Sequence, residues 1–154
     1  MTKASVTLQA QLTNSTTAYA AGDVIGGVLA LNPQAVIPSG TIRRVKLLDD
    51  ENLKPAATVH LFHTRPTATY TDNGAYAPTL ADLKAYANGI VVVSADWSTV
   101  NGNGLAVKDD LAISVSLTDG NLYAVIESDG TPDYSVTNAL FLEIELWVDR
   151  YSAG

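Results

Sequence analysis

The sequence predicts an all-β protein, an antiparallel β-sandwich or jelly roll with one short helix in a long loop. Three observations predict this fold class. Apolar and polar residues alternate with period 2 in many segments, clusters of Gly, Asn and Asp separate those segments, and a single stretch carries helix-start signals. At 154 residues the chain has the length of one domain, so we expect one β-sandwich domain over residues 1–154.

The alternation predicts eight strands. In the first, Val6, Leu8, Ala10 and Leu12 share one face. The other seven are, in chain order, Val24–Leu31, Thr41–Leu48, Ala57–Thr64, Gly89–Ala95, Leu111–Thr118, Asn121–Ser128 and Ala139–Asp149. The inward-facing apolar positions predict a core, which we expect to contain Val6, Leu8, Val28, Leu61, Val92, Ile113, Val125, Leu142, Ile144 and Leu146. Phe141, Glu143, Glu145 and Trp147 occupy the other face of the last strand, which is therefore wetter or meets a partner.

Irregular points in this pattern predict turns and bulges. The apolar positions of the third strand slip phase between Ile42 and Val45, which indicates a β-bulge. The stretch A-Y-A-A-G-D-V-I-G-G runs into a strand instead of a helix, so it is not a phosphate-binding loop. We interpret Gly22-Asp23 as a tight turn and Gly26-Gly27 as a bulge or close backbone approach. Gly120-Asn121 predicts a two-residue hairpin between the sixth and seventh strands.

One segment, Thr79–Tyr86, has the features of a helix. Thr79 can cap its start, Asp82 stands three residues later, and Pro78 precedes it. Asn88-Gly89 is expected to stop it. This helix lies in the long connection from Arg65 to Asn88, between the fourth and fifth strands.

Little in the sequence indicates catalysis or metal binding. Cysteine is absent, and His60 and His63 are three apart on a strand, so they point to opposite faces as two half-exposed strand histidines. Glu143 and Glu145 share a strand face at about 6.5–7 Å, a spacing compatible with glycosidase carboxylates but also ordinary for a solvated sheet. We expect no enzyme activity, no cofactor and no bound metal.

Charge and hydropathy exclude two further classes of partner. Nine scattered basic residues stand against sixteen acidic ones, for a net charge of −7, which argues against nucleic-acid binding. The longest apolar runs are too short to cross a bilayer, and the alternating N-terminus is not a signal peptide. We expect a soluble protein used at full length.

Tyrosine is the one enriched aromatic residue, with seven in the chain. Tyr70, Tyr76 and Tyr86 lie in the connection from Arg65 to Asn88, which is longer than a compact domain usually contains without a function. Amphipathic tyrosines there suit a partner-binding surface for protein or carbohydrate. Equally, they could pin the loop to the sandwich.

Three stretches together resemble a family of small structural proteins of tailed bacteriophages, the head decoration or minor virion proteins. They are A-Y-A-A-G-D-V-I-G-G, T-D-N-G-A-Y-A-P-T-L-A-D-L and N-L-Y-A-V-I-E-S-D-G-T-P-D-Y-S-V-T-N-A-L-F-L-E-I-E-L-W-V. The resemblance implies a β-sandwich or jelly roll without a catalytic motif. It also implies a decoration (cement) protein on the outer surface of the phage head, made in the host cytoplasm. Its partners would be the major capsid protein and itself, most simply as a homotrimer.

Two other functional classes remain open from the sequence. A tail- or fibre-associated module that binds a carbohydrate or receptor would also use tyrosines on a long loop. A hydrolase would depend on Glu143 and Glu145. Glycan binding by the isolated protein would favour the first, and turnover lost on mutation of either glutamate would favour the second.

Overall fold

Two antiparallel β-sheets pack face to face in the computed structural model, which describes residues 2–31, 39–117 and 119–150. The strands are β1 (Thr2–Gln11), β2 (Val24–Leu31), β3 (Ser39–Asp49), β4 (Ala57–Phe62), β5 (Tyr86–Val92), β6 (Trp97–Val100), β7 (Asn103–Lys108), β8 (Ile113–Ser116), β9 (Leu122–Ser128) and β10 (Leu140–Arg150). One short α-helix, α1 (Leu80–Lys84), precedes β5. The predicted all-β sandwich with a short helix in a long loop is confirmed.

The strand order places the last strand of the described chain inside a sheet. The six-stranded sheet has the order β1-β10-β3-β7-β6, and β8 pairs with the first half of β3. The four-stranded sheet has the order β2-β9-β4-β5. β10 therefore lies between β1 and β3, pairing with both along most of its length.

The main core lies between the two sheets. Of the predicted core residues, six are buried there: Leu8, Leu61, Val92, Leu142, Ile144 and Leu146. Val6 and Ile113 are partly buried at its margin. Val125 is fully buried, but in a second cluster on the opposite face of the four-stranded sheet, where Val28 also packs. That second cluster exists because the long loop covers the face.

Both predicted bulges are present. In β3, Arg44 pairs with Glu145 and Ile42 pairs with Leu146, so Arg43 is the extra residue. In β2, the register shifts between Ile25 and Val28, and the intervening Gly26 and Gly27 both have positive φ, a conformation that favours glycine. The predicted turn at Gly22-Asp23 is closed by a hydrogen bond from Asp23 N to Ala20 O of 3.1 Å.

The predicted hairpin at Gly120-Asn121 is wrong. β8 pairs with β3 and β9 pairs with β2 and β4, so this turn carries the chain from one sheet to the other. The two-residue hairpin lies instead at Asn101-Gly102, which joins β6 to β7, a strand pair that the alternation did not predict. Both of its turn residues have positive φ, as a type I′ turn requires. The predicted end of the sixth strand at Thr118 lies outside the described residues.

Helix α1 begins as predicted and ends early. Thr79 and Asp82 form a reciprocal capping box, in which each side chain accepts from the backbone of the other. The helix stops at Lys84 because β5 starts at Tyr86, three residues before the predicted strand. Neither this helix nor any other in the described ranges is long and apolar enough to cross a membrane.

Candidate functional site

The long connection after β4 folds over the outer face of the four-stranded sheet. This face carries the second hydrophobic cluster, in which Val24, Phe62, Tyr70, Tyr123 and Val125 are buried. Tyr76 and Tyr86 pack against its margin. Because one face of the sheet meets the main core and the other meets this loop, β9 is buried continuously from Leu122 to Ile126.

Asp82 ties the loop together. Asp82 is 1% exposed, and its carboxylate accepts hydrogen bonds from Thr67 N (2.6 Å), Ala68 N (3.2 Å), Tyr70 Oη (2.7 Å) and Thr79 N (3.3 Å). Burial by itself raises the pKa of Asp82, but the hydrogen bonds, led by that from Tyr70, outweigh it and lower the pKa well below the ordinary value. One carboxylate thus fixes both ends of the loop segment that crosses the sheet.

His60 forms a second hydrogen-bonded cluster under the loop. Its Nδ1 lies 2.9 Å from Tyr86 Oη, and its Nε2 lies 2.8 Å from Glu127 Oε1. The imidazole also stacks on the Tyr76 ring at a centroid distance of 4.1 Å. Burial, and then the charge of Glu127, raises the pKa of Tyr86. Both ring nitrogens of His60 are therefore engaged by the chain itself.

The two histidines do not meet, as predicted from their spacing. The prediction that both are half-exposed is wrong for His60, which is buried because the loop covers its face of β4. His63 follows the end of β4 and contacts the backbone of Ser116 through Nδ1 at 3.1 Å. Within residues 2–31, 39–117 and 119–150, no group of three or more His, Cys, Asp or Glu side chains is placed to hold a metal ion.

The glutamates considered for hydrolysis lie on the outer face of the six-stranded sheet. Glu143 is 3.2 Å from Lys46 Nζ, and Glu145 is 3.8 Å from the Arg44 guanidinium. Each carboxylate faces the cation directly across from it on β3. The arrangement is a ladder of cross-strand ion pairs, an ordinary way to stabilise a solvated sheet face.

Of the three tyrosines in the predicted connection, Tyr70 and Tyr76 lie in the loop and contact the chain's own sheet, whereas Tyr86 is the first residue of β5. Tyr70 is buried with its hydroxyl on Asp82, and Tyr76 and Tyr86 are half-buried on either side of His60. Their geometry corresponds to loop pinning, one of the two roles considered from the sequence. Partner binding by Tyr70, Tyr76 and Tyr86 stays a prediction.

Helix α1 is inverted relative to the usual amphipathic pattern. Its buried residue is Asp82, whereas Leu80 is 71% exposed and Leu83 is 51% exposed. A shallow groove of about 470 Å³ runs beside the helix, lined by His63, Ala81, Lys84 and Ser116 among others. Sequence reasoning missed these leucines because it identified the helix without assigning its buried face. Asp82 could have indicated the buried face, because a capping-box residue that is buried turns the opposite side of the helix, with its leucines, toward solvent.

One edge of the four-stranded sheet, formed by β5, is partly closed by side chains. In β5, the N–H of Gly89 donates to Asn88 Oδ1 (2.8 Å), and just beyond it the N–H of Val93 donates to Asp96 Oδ2 (2.8 Å). These two donors are therefore not offered to a further strand.

A scan against models of known protein families finds no match, and a search of curated proteins also finds none.

Proposed function

We propose that this chain is a bacteriophage virion structural protein, a head decoration protein that binds the outer surface of the capsid lattice and stabilises it without catalysis. The observation that carries the proposal is the inverted helix α1. A surface helix of a soluble protein normally turns its leucines toward the core. Here Leu80 and Leu83, three residues apart on one helix face, point outward together. Exposed apolar groups that adjoin one another are typical of a contact surface.

The loop that presents these leucines is held in place before any partner binds. The hydrogen bonds to Asp82 and the stacking around His60 fix its backbone against the sheet. A contact surface that is already ordered loses less conformational entropy on binding. The pinned tyrosines thus support the partner surface indirectly, by fixing the helix that carries it.

The proposal includes self-association, most simply as a trimer at a local three-fold position of the lattice. β1 is an edge strand of the six-stranded sheet, so the N-terminal segment is available to pair with the sheet edge of a neighbour. The side-chain bonds along β5 disfavour that edge for the same purpose. Attachment through several subunits lets individually modest contacts hold tightly.

The test adds purified protein to phage heads that lack it. We expect saturable binding, together with a rise in the temperature or pressure at which the heads rupture. Sedimentation of the free protein should show a homo-oligomer. A protein that stays monomeric, ignores heads and is found only in tails would contradict the proposal and favour the carbohydrate- or receptor-binding tail module.

A matched pair of variants tests the surface itself. Leu80→Ala combined with Leu83→Ala removes apolar area that is already exposed, so the fold should be unaffected. We expect this variant to bind heads at least about tenfold more weakly. Leu53→Ala is the control, because Leu53 is also exposed (42%) but lies in the loop after β3, away from the helix. Equal affinity for the two variants would exclude α1 as the contact surface.

A further inference from the structure

A cup of about 360 Å³ lies at one end of the outer face of the six-stranded sheet, on the opposite side of the sandwich from the tyrosine loop. Its floor is built from cross-strand neighbours: Phe141 in β10 pairs with Leu48 in β3 and with Gln11 in β1. The adjacent residues Leu142 and Leu47 point into the core, so these three point outward. The floor therefore offers a half-buried aromatic ring beside an aliphatic side chain.

The rim of the cup is polar and comes from two loop residues and the first residue of a strand, which meet at this end of the sheet. Asn138 precedes β10, Asp50 follows β3, and Asn103 begins β7. Asn138 and Asp50 bond to the rest of the protein through their backbones, with Asn138 O accepting from Gln11 Nε2 (3.1 Å) and Asp50 N donating to Ala139 O (2.8 Å). Their exposed side chains are left facing solvent around the cup.

Gln11 contributes a fixed acceptor. Its side-chain nitrogen donates to Leu140 O at 2.7 Å and to Asn138 O at 3.1 Å. The amide nitrogen is thus held by backbone carbonyls, which leaves Oε1 as the hydrogen-bonding group for a ligand. An oriented amide of this kind is typical of small-molecule sites, which combine apolar walls with a few placed polar groups.

We propose that this cup binds one unit of a neutral saccharide. A pyranose ring has an apolar C–H face, which would lie on Phe141 and Leu48, and a rim of hydroxyls. Each hydroxyl both donates and accepts. The rim supplies an acceptor at Asp50 and a donor and acceptor at Asn138, and the floor supplies an acceptor at Gln11. The volume falls in the range of small-ligand pockets.

The electrostatics disfavour two other ligand classes. Asp49 and Asp50 line the cup in a chain of net charge −7, so an anion would be repelled. Asp49 is turned inward, with its carboxylate accepting from Glu51 N (3.0 Å) and Lys54 N (2.8 Å). That leaves Asp50 as the accessible carboxylate of the cup, whereas Ca²⁺ takes 6–8 oxygen ligands.

The test titrates the full chain, labelled with ¹⁵N, with methyl glycosides of common hexoses and N-acetylhexosamines, after a glycan array has ranked them. We expect saturable shifts at the amides of Gln11, Asn138 and Phe141. Asn138→Ala and Asp50→Asn should each weaken binding at least about tenfold. The control is Asp133→Asn, which changes an exposed carboxylate outside the cup and should leave the affinity unchanged.

Three results would overturn the inference: no saturable binding across array and panel, shifts that map elsewhere, or affinity indifferent to the Asn138 and Asp50 changes. Saturation of the same amides by CaCl₂ but by no glycoside would reassign the cup to a cation. The inference does not depend on the proposed function. A protein that binds glycosides but ignores phage heads would keep the saccharide site and lose the decoration role.

Discussion

Replacing Tyr134 by Phe should leave the protein as stable as before or more stable, whereas replacing Tyr19 by Phe should destabilise it. The two rings pack edge to face with centroids 6.5 Å apart, and both side chains are almost fully buried. The Tyr19 hydroxyl donates to Asp72 Oδ1 (2.7 Å) and accepts from Ser15 N (2.6 Å). In the described part of the chain, the Tyr134 hydroxyl has no hydrogen-bond partner.

The magnitudes follow from these contacts. A hydrogen bond to a charged acceptor contributes about 1.5–3 kcal/mol, so Tyr19→Phe should lower the free energy of unfolding by about 2 kcal/mol. In a domain of this size, that corresponds to a Tm lower by about 4–8 °C. A buried hydroxyl without a partner costs about 1–3 kcal/mol of desolvation, and burial raises the pKa of Tyr134 for the same reason. Tyr134→Phe removes that cost, and we expect a change between zero and a gain of about 1 kcal/mol.

Urea unfolding followed by tryptophan fluorescence measures both variants on one scale, with the midpoint reporting stability when the slope is unchanged. Both substitutions keep the aromatic ring, so the edge-to-face packing is unchanged in each variant and the difference in stability reports the hydroxyl groups alone. A loss for Tyr134→Phe as large as that for Tyr19→Phe would show that the Tyr134 hydroxyl is hydrogen-bonded in solution and would refute the reasoning.

Three further substitutions probe the loop and the core. Asp82→Asn should lower the free energy of unfolding by about 3 kcal/mol at neutral pH. Because the pKa of Asp82 is lowered in the folded protein, its stabilisation is complete above about pH 4 and is lost as the pH falls further. Across pH 2–7, the free energy of unfolding of the variant should therefore fall less steeply toward acid pH than that of the original protein. An equal fall in both proteins would contradict this. Gly89→Ala places a methyl group against the Tyr86 hydroxyl, so it should break the bond to His60 and shift the His60 ring resonances in NMR spectra. Leu142→Ala should lower the free energy of unfolding, measured by denaturant titration, by about 2–5 kcal/mol. An unchanged unfolding midpoint would mean that the register of β10 is shifted by one residue, so that Leu142 faces solvent.

The inward face of a strand was predictable from the sequence where one face is buried in the core and the other is exposed to solvent. In β10, alternation gave the correct inward set because Leu142 and Ile144 meet the core while Glu143 meets solvent. The same rule placed Val125 of β9 in the core between the sheets, whereas β9 is buried on both faces and Val125 belongs to the second cluster. It missed β6, where only Trp97 is buried and the rest is exposed. Short edge strands bury too little to leave a period in the sequence.

Connections were less predictable than strands. Asn101-Gly102 and Gly120-Asn121 both contain a glycine that takes positive φ, but one closes a hairpin and the other crosses between sheets. A turn dipeptide fixes local backbone geometry and carries no information about which sheet the next strand joins.

The candidate sites depend on register between distant segments. The sequence located the tyrosine loop but left its two roles open, because nothing local states that Tyr70 would find a partner in Asp82. The cup was not predictable at all, since Gln11, Leu48 and Phe141 become neighbours only through the pairing of three strands. The inverted helix was hidden because its polar residue is the buried one.

The position of β10 between β1 and β3 has a consequence for how the protein is made. Synthesis runs from the N-terminus, so β1 and β3 leave the ribosome long before residues 140–150, which must separate them in the finished sheet. Until then, each of the two strands has an unpaired edge that faces the position of the other. The gap between β1 and β3 can then be filled by the chain's own β10 or by the β10 of a neighbouring molecule. Exchange of β10 between chains would thus be the characteristic misassembly of this fold, and it would increase with protein concentration.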